Sequence, residues 1–430
     1  MTRFRFLHAA DLHLDSPLRG LDADASAPAR RIREASRAAL DNLVGLALRE
    51  RVDLLLVAGD LYDGDWQDYR TGQALVAAFA RLTRAGIRVV AIRGNHDAES
   101  VLTRSLRLPE GATLLSHRRP ESLELPELGL AVHGQSFAQR AVVENLALVY
   151  PPPLAGRFNI GLLHSSAAGH AAHETYAPCA IAQLAGHGYD YWALGHVHER
   201  AVLHEAPWIV FPGNLQGRHI NEPGAKGASL VTVREGRVAA VEHHALDVVR
   251  WQRLALDLSG AADLAAVQDR ARDAIGAAVE AAEGRLLALR LELGGTTAAH
   301  SALARDPEAL RAHLRSAGLE AAEADSFWIE AVRLATRAPG AARAAGDDAP
   351  ARLLGAVRDI AAAPRTAPEL ASALQDYATQ MLARAPGLRE ALPAGHPALL
   401  LAEGELPPEL LRQARDLLLA RLTEEEGACG

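Results

Sequence analysis

The chain has 430 residues, 49% hydrophobic and 23% charged, which excludes one ordinary core and points to two or three globular domains at roughly 150 residues each. Its net charge of −8 comes from 45 basic and 53 acidic residues, so there is no basic tail to bind nucleic acid by charge alone. Apolar runs such as Ala74–Ala80 fall far short of the roughly 20 residues that span a bilayer, so no membrane segment is expected.

At the N-terminus, Arg3 and Arg5 are followed by Asp11 and Asp15. No apolar signal-peptide core fits between them, and a cytoplasmic protein is expected. Cys179 and Cys429 stand too far apart in sequence to suggest a disulfide framework or a thiolate metal cluster.

Strands are expected at Phe4–Ala10, Asp53–Ala58 and Ile87–Ile92, with helices over Arg30–Glu50 and Tyr69–Ala85 between them. Further strands fit Leu130–His133, Asn159–His164, Tyr189–Leu194, Trp208–Phe211, Ser229–Val233 and Val238–His243. Strand–helix alternation followed by a strand-rich stretch implies a layered α/β sandwich rather than a single open sheet. From Trp251 the rhythm changes to a small β-α-β-α-β unit. Its strands are Trp251–Leu258, Leu286–Leu293 and Phe327–Ala335, and its helices Ala262–Ala282 and Pro307–Ala317. The expected domains are therefore 1–250, an α+β cap at 251–337, a linker at 338–350 and a helical C-terminal segment at 351–430.

Fifteen of the 18 histidines precede residue 250. Polar residues recur where the strands of that half end. Asp11-Leu12-His13 follows the first strand, Gly59-Asp60-Leu61-Tyr62-Asp63 the second and Gly94-Asn95-His96-Asp97 the third. Later strands end at His164 and at Gly195-His196-Val197-His198. Functional groups of α/β sheets collect at such carboxyl ends. Carboxylate, imidazole and amide donors without thiolate suit Mn²⁺, Fe²⁺ or Zn²⁺, and a bridging carboxylate could hold two ions about 3.5–4 Å apart. Alone, Asp-x-His is a capped turn more often than a metal pair, and a lone His164 would be a packed histidine. Five such motifs in order argue against accident.

In this order the motifs resemble the calcineurin-like metallophosphoesterase superfamily, and within it the SbcD-type DNA repair exonucleases, particularly the YhaO-like branch. The stretches HAADLHLDSPL, GDLYDG, LLHSS, HETYAPC, YDYWALGHVH and FPGNLQGRHINEPGAKG carry that likeness across residues 1–245. The resemblance implies a four-layer α/β/β/α sandwich and two divalent metal ions, with Mn²⁺ expected. It implies that Asp11, His13, Asp60 and His198 hold one ion, and Asp60, Asn95, His164 and His196 the other. His96 resembles the family's general acid, with Asp97 expected to fix its tautomer. An activated water would attack phosphorus in line with the leaving 3′-oxygen, giving 3′–5′ exonuclease activity, with single-strand endonuclease activity also implied. DNA, an SMC-like ATPase of SbcC or YhaN type, and a second copy of the chain are the implied partners. Archaeal and eukaryotic relatives carry a histidine where this chain has Asp63, while SbcD-type sequences resemble it there.

Other positions carry two readings each. His8 fits a packed residue. His170, His173, Glu174 and Tyr176 form a loop or touch substrate. Asp15 and Ser16 steady a turn or approach phosphate, and Arg93 meets phosphate or forms an ion pair. Arg218 and His219 contact the DNA backbone or lie in a surface loop. Asn214 ends a strand beside the site, and Asp65, Trp66 and Asp68 open the next helix. Two other functions share these residues: a phosphodiesterase or phosphatase acting on small nucleotides or phosphoproteins, and a non-catalytic scaffold. The full ligand set argues against the scaffold.

Overall fold

The computed structural model describes residues 3–16, 27–63, 69–98, 107–167, 176–339, 368–384 and 395–407, with single positions at 389, 392, 410 and 413. Most of the expected linker and much of the C-terminal segment lie outside the described residues, as do His170, His173, Glu174, Asp65, Trp66 and Asp68.

Two six-stranded sheets organise the first part of the chain. The first runs β12-β11-β1-β2-β3-β4. Its centre is β1 (Arg3–Ala9), β2 (Leu54–Ala58) and β3 (Arg88–Ile92), all parallel and followed by the short β4 (Ala112–Leu114). β11 (Gly227–Arg234) and β12 (Arg237–Ala245) return antiparallel on the other side. The second sheet runs β5-β6-β7-β8-β10-β9. In it β6 (Leu130–Gly134), β7 (Phe158–His164), β8 (Tyr191–Gly195) and β10 (Trp208–Phe211) are parallel, and β5 (Glu121–Leu125) and β9 (Ala201–Glu205) are antiparallel edges.

Strands covered on both faces should read as continuous apolar runs, and β2, LLLVA, is buried at every position. One face of the first sheet meets the second sheet in a core that includes Phe4, Phe6, Leu54, Leu56, Ile160, Leu162, Tyr191 and Val210. Its other face, through Leu7, Leu55, Val57 and Val89, packs on α1 (Ala27–Glu50) and α2 (Tyr69–Arg84). The helices present Leu40, Leu43 and Ala47, and Leu75, Phe79 and Leu82, at the three- and four-residue spacing of one helical face. Both helices stop in the same way. Val52 N–H reaches Ala47 O around a left-handed Arg51, and Ile87 N–H reaches Leu82 O around a left-handed Gly86. The far face of the second sheet packs Trp192, Leu194 and Phe211 against Leu184 of α3 (Ile181–Gly186) and Tyr150. The order helix, sheet, sheet, helix is the expected sandwich, with a fourth layer reduced to a short helix and turns.

Beyond it, β13 (Val249–Asp257), β14 (Leu286–Thr296) and β15 (Phe327–Arg337) form a three-stranded sheet in that order. α4 (Leu264–Ala281) joins the first two strands, and α5 (His300–Arg305) and α6 (Pro307–Ala321) join the last two. Asp306 caps α6 by accepting from Glu308 and Ala309 N–H, ahead of Pro307 in the first turn. α7 (Pro368–Arg384) packs on α8 (Pro397–Ala402). By compactness the chain groups into two units: 1–253 with 278–289 and 323–330, and 254–277 with 290–322 and 331–430. Among the described residues, no helix is long and apolar enough to cross a membrane.

Candidate metal centre

The expected ligand motifs come together at the carboxyl ends of the central strands. Asp11 and His13 leave β1, Asp60 leaves β2 and Asn95 leaves β3, while His164, His196 and His198 come from β7 and β8 of the other sheet. The turns are tight enough to force unusual backbone. Asp11, His13, Asp60 and His196 all take positive φ, at 52°, 42°, 51° and 100°. Non-glycine residues adopt this region uncommonly, and four of them gather here. Gly94 permits a close approach, since a Cβ there would overlap Oδ1 of Asp60 and the ring of His164.

Within this cluster the donor atoms of Asp11, His13 and His198 lie within 4.8 Å of one another. So do those of Asp11, Asp60 and His164, and those of His13, Asp60 and His96. The imidazoles are oriented from behind. His13 Nδ1 donates to Asp63 Oδ1 at 2.6 Å, His198 Nδ1 to Glu222 Oε1 at 2.7 Å and His164 Nδ1 to Ala58 O at 2.9 Å. That fixes the tautomer and leaves each Nε2 lone pair facing inward. The His13 and His198 Nε2 atoms then stand 3.1 Å apart, and His164 Nε2 is 3.5 Å from Asp60 Oδ2. Asn95 Oδ1 lies 2.9 Å from that same His164 nitrogen. The His196 N–H donates to both oxygens of Asp11, and its ring lies 5.2 Å from that of His164.

Lone pairs and carboxylates converge here with 1% exposure at Asp11, His13 and Asp60. Such a set repels itself unless a cation sits among it. The electrostatics register that strain. Burial and the Asp60 charge push Asp11 well above the usual carboxylate range. Burial also opposes ionisation of Asp60, yet His164, His13 and His96 hold its pKa down at about 2. Burial, aided by Arg218, lowers His13 to about 4, so the ring is neutral and free to coordinate. Oxygen and imidazole donors with backed Nδ1–H groups fit a borderline divalent cation.

The ring of His96 is held differently from expectation. Its Nδ1 lies 2.9 Å from Asp63 Oδ1, whereas Asp97 accepts from the backbone N–H of Leu61 and Gly94 at 2.9 and 2.7 Å. Asp97, one residue after His96, points into the turn and braces the loops. The Asp63 side chain, three residues after Asp60, reaches the imidazole. Burial lowers the His96 pKa, but the Asp63 bond and the Asp60 and Asp63 charges outweigh it and raise the value.

Glu222 is a site residue that motif reading missed. It lies 24 positions after His198 in a loop, and its signal is the acidic residue within NEPG. A cleft of about 880 Å³ opens over the centre, lined by Asn95, His96, Tyr176, His219, Glu222 and Lys226 among others. Arg218 also lines it, but the side chain is engaged by Asp63 and Glu222. Asp15 accepts from Arg37 and Thr71, and Ser16 Oγ donates to Asp63, so these two steady the turn. Asn214 lies beside the site and donates to Glu222. Arg93 meets His117, and His8 is packed between Tyr191 OH and Leu194 O.

This chain belongs to the calcineurin-like metallophosphoesterases, and residues 4–200 match the family of calcineurin-like phosphoesterases. Residues 251–337 match the middle domain of the metallophosphoesterase YhaO. The chain is 36% identical over 300 residues, 69% of its length and 73% of the relative's, to the uncharacterized metallophosphoesterase YhaO of Bacillus subtilis. It is 26% identical over 276 residues to the DNA double-strand break repair protein Mre11 of Methanopyrus kandleri, covering 58% of each chain. Over 95 residues it is 38% identical to a subunit of the nuclease SbcCD of Rhodobacter capsulatus, 22% of this chain and 21% of that one.

Proposed function

We propose that this protein is a metal-dependent DNA nuclease of DNA repair, a 3′–5′ exonuclease hydrolysing phosphodiester bonds in the cleft over the strand ends. The observation that carries this reading is the convergence of His13 and His198 Nε2 on two buried carboxylates, with each Nδ1 backed by its own acceptor. Asp11, His13, Asp60 and His198 would hold one cation. Asp60, Asn95, His164 and His196 would hold the second, with Asp60 shared. Mn²⁺ is the proposed metal. Two such cations supply Lewis acidity at phosphoryl oxygen and ease deprotonation of water.

The remaining steps fall to the chain's own groups. Asp63 grips the His96 ring by Nδ1 and leaves Nε2 to donate a proton to the departing 3′-oxygen. Against the pull of burial, the Asp63 bond raises the His96 pKa and so favours the protonated ring. His219 and Lys226 line the same cleft and offer N–H donors to non-bridging phosphate oxygens. Lys226 Nζ is held by His198 O at 2.8 Å, and with the exposed His219 it would replace part of the water around the phosphate as the strand end enters.

One relative named for DNA double-strand break repair, another named as a nuclease subunit, and the additional segment at 251–337 favour DNA over a small diester. Residues 1–250 hold 26 basic and 27 acidic side chains, which supports weak unaided affinity for duplex DNA. An SMC-like ATPase partner, docking on the segment from 351 onward, would supply the missing grip.

The test is nucleotide release from an end-labelled duplex with Mn²⁺, Mg²⁺ or EDTA, run beside bis-p-nitrophenyl phosphate and an Asp60→Ala control. Manganese-dependent shortening that the variant loses is the expected result. Turnover of the small diester with DNA untouched, even beside an ATPase partner, would move the substrate to a small phosphodiester.

A further inference from the structure

Arg218 stands between two carboxylates that no sequence motif connects. Its Nη1 lies 3.5 Å from Asp63 Oδ2, and its Nη2 donates to Glu222 Oε1 at 3.1 Å. Its backbone N–H adds a bond to Glu222 Oε2 at 2.9 Å, and Asn214 Nδ2 meets the same oxygen at 2.9 Å. Each carboxylate in turn accepts Nδ1–H from a different imidazole, Asp63 from His13 and Glu222 from His198. The far nitrogens of those imidazoles are 3.1 Å apart. His13, Asp63, Arg218, Glu222 and His198 therefore form a closed ring of five side chains, none more than 19% exposed.

We propose that Arg218 is a positioning residue that sets the separation of the His13 and His198 Nε2 atoms by bracing the carboxylates that hold the two rings. The inference rests on the reading of this cluster as a metal site, and it assigns Arg218 to the half that Asp11, His13, Asp60 and His198 would form. Arginine suits the task because its nitrogens sit at fixed positions on one rigid plane. A lysine ammonium on a flexible stem offers one point charge and cannot hold both carboxylates at a set spacing. The Arg218 side chain acts on His13 through Asp63 and on His198 through Glu222, its Nη2 also lying 3.3 Å from His198 Nδ1, and needs no contact with substrate. Groups that orient ligands from behind change metal affinity by roughly 10–100-fold when removed.

The test uses the full chain and compares Arg218→Ala and Arg218→Lys with the unaltered protein. Mn²⁺ titration followed by electron paramagnetic resonance counts the ions and their affinities. Both variants are expected to weaken one of two sites by about 10–100-fold while the other stays within about twofold. Arg218→Lys restoring both sites would show that charge alone suffices and overturn the bracing role. Arg218→Ala leaving both sites unchanged would overturn it as well. If the alanine variant does not fold, the lysine variant decides.

A metal-free readout separates this inference from the one beneath it. In histidine-labelled apo protein, the His13 and His198 Nδ1–H signals are expected to be protected from exchange and to lose that protection in Arg218→Lys. Protected signals that the lysine variant leaves unchanged overturn the bracing. If the unaltered protein binds no pair of ions, the metal-site reading fails, whatever the ring protons show.

Discussion

Asp63 Oδ1 lies 2.9 Å from Nδ1 of His96, and the same oxygen accepts from His13. A single carboxylate thus steadies both the proposed acid and a proposed ligand. Asp63→Asn keeps the shape and removes the charge, so kcat on bis-p-nitrophenyl phosphate should fall about 100-fold with KM little changed. Asp97→Asn makes the contrast. It disturbs the bonds to Leu61 and Gly94 N–H, so thermal unfolding should reveal a loss of about 1–3 kcal/mol. A larger kcat effect at Asp97 than at Asp63 would return the orienting role to Asp97.

Gly94→Ala tests how closely the loops approach. The added methyl would enter space held by Asp60 and His164, which must separate or lose their facing geometry. Circular dichroism should remain that of a folded protein while Mn²⁺ uptake and hydrolysis fall by at least tenfold. Normal uptake would mean that the loops are loose enough to yield.

Cation binding should appear as stability. At about 100 times its dissociation constant, a ligand that binds only the folded state adds about 2.7 kcal/mol per site. Mn²⁺ should raise the denaturant midpoint, EDTA should reverse the gain, and Asp60→Ala should abolish it.

His8 supplies a pH test away from the ligands. Burial lowers its pKa to about 3, against a smaller upward pull from the Leu194 carbonyl. The unfolded value is about 6.5, so the folded state holds the ring neutral where the unfolded chain protonates it. That contribution is complete above pH 6.5 and is lost as pH falls toward 3. At about 1.4 kcal/mol per pH unit, it costs about 2–3 kcal/mol by pH 4.5. Urea melts between pH 7 and 4.5 should therefore show a shallower acid dependence in His8→Gln. Equal slopes would remove His8 from the acid response.

The central strands and the ligand cluster were legible because each follows a local rule. β2 is apolar throughout since it is covered twice, and Asp11, Asp60, Asn95 and His164 sit where strands end. The edges were not legible: β5, ESLEL, and β9, AVLHE, are half-exposed and carry little apolar pattern. Nor were the supports. Glu222 and Arg218 reach the site through a loop whose path only tertiary packing sets. The choice of Asp63 over Asp97 behind His96 depends on side-chain direction, which sequence adjacency does not give.

Of the proposed ligands, Asp11, His13, Asp60 and Asn95 ride on one sheet, and His164, His196 and His198 on the other. Their mutual distances are therefore set by how Phe6, Leu56, Ile160 and Leu162 interlock between the sheets. The centre behaves as a feeler gauge for that seam. Phe6→Ala, costing about 3–5 kcal/mol through the void it opens, would let one sheet slip against the other. Metal affinity would then report a fraction of an ångström of misalignment at temperatures where the rest of the molecule still looks native.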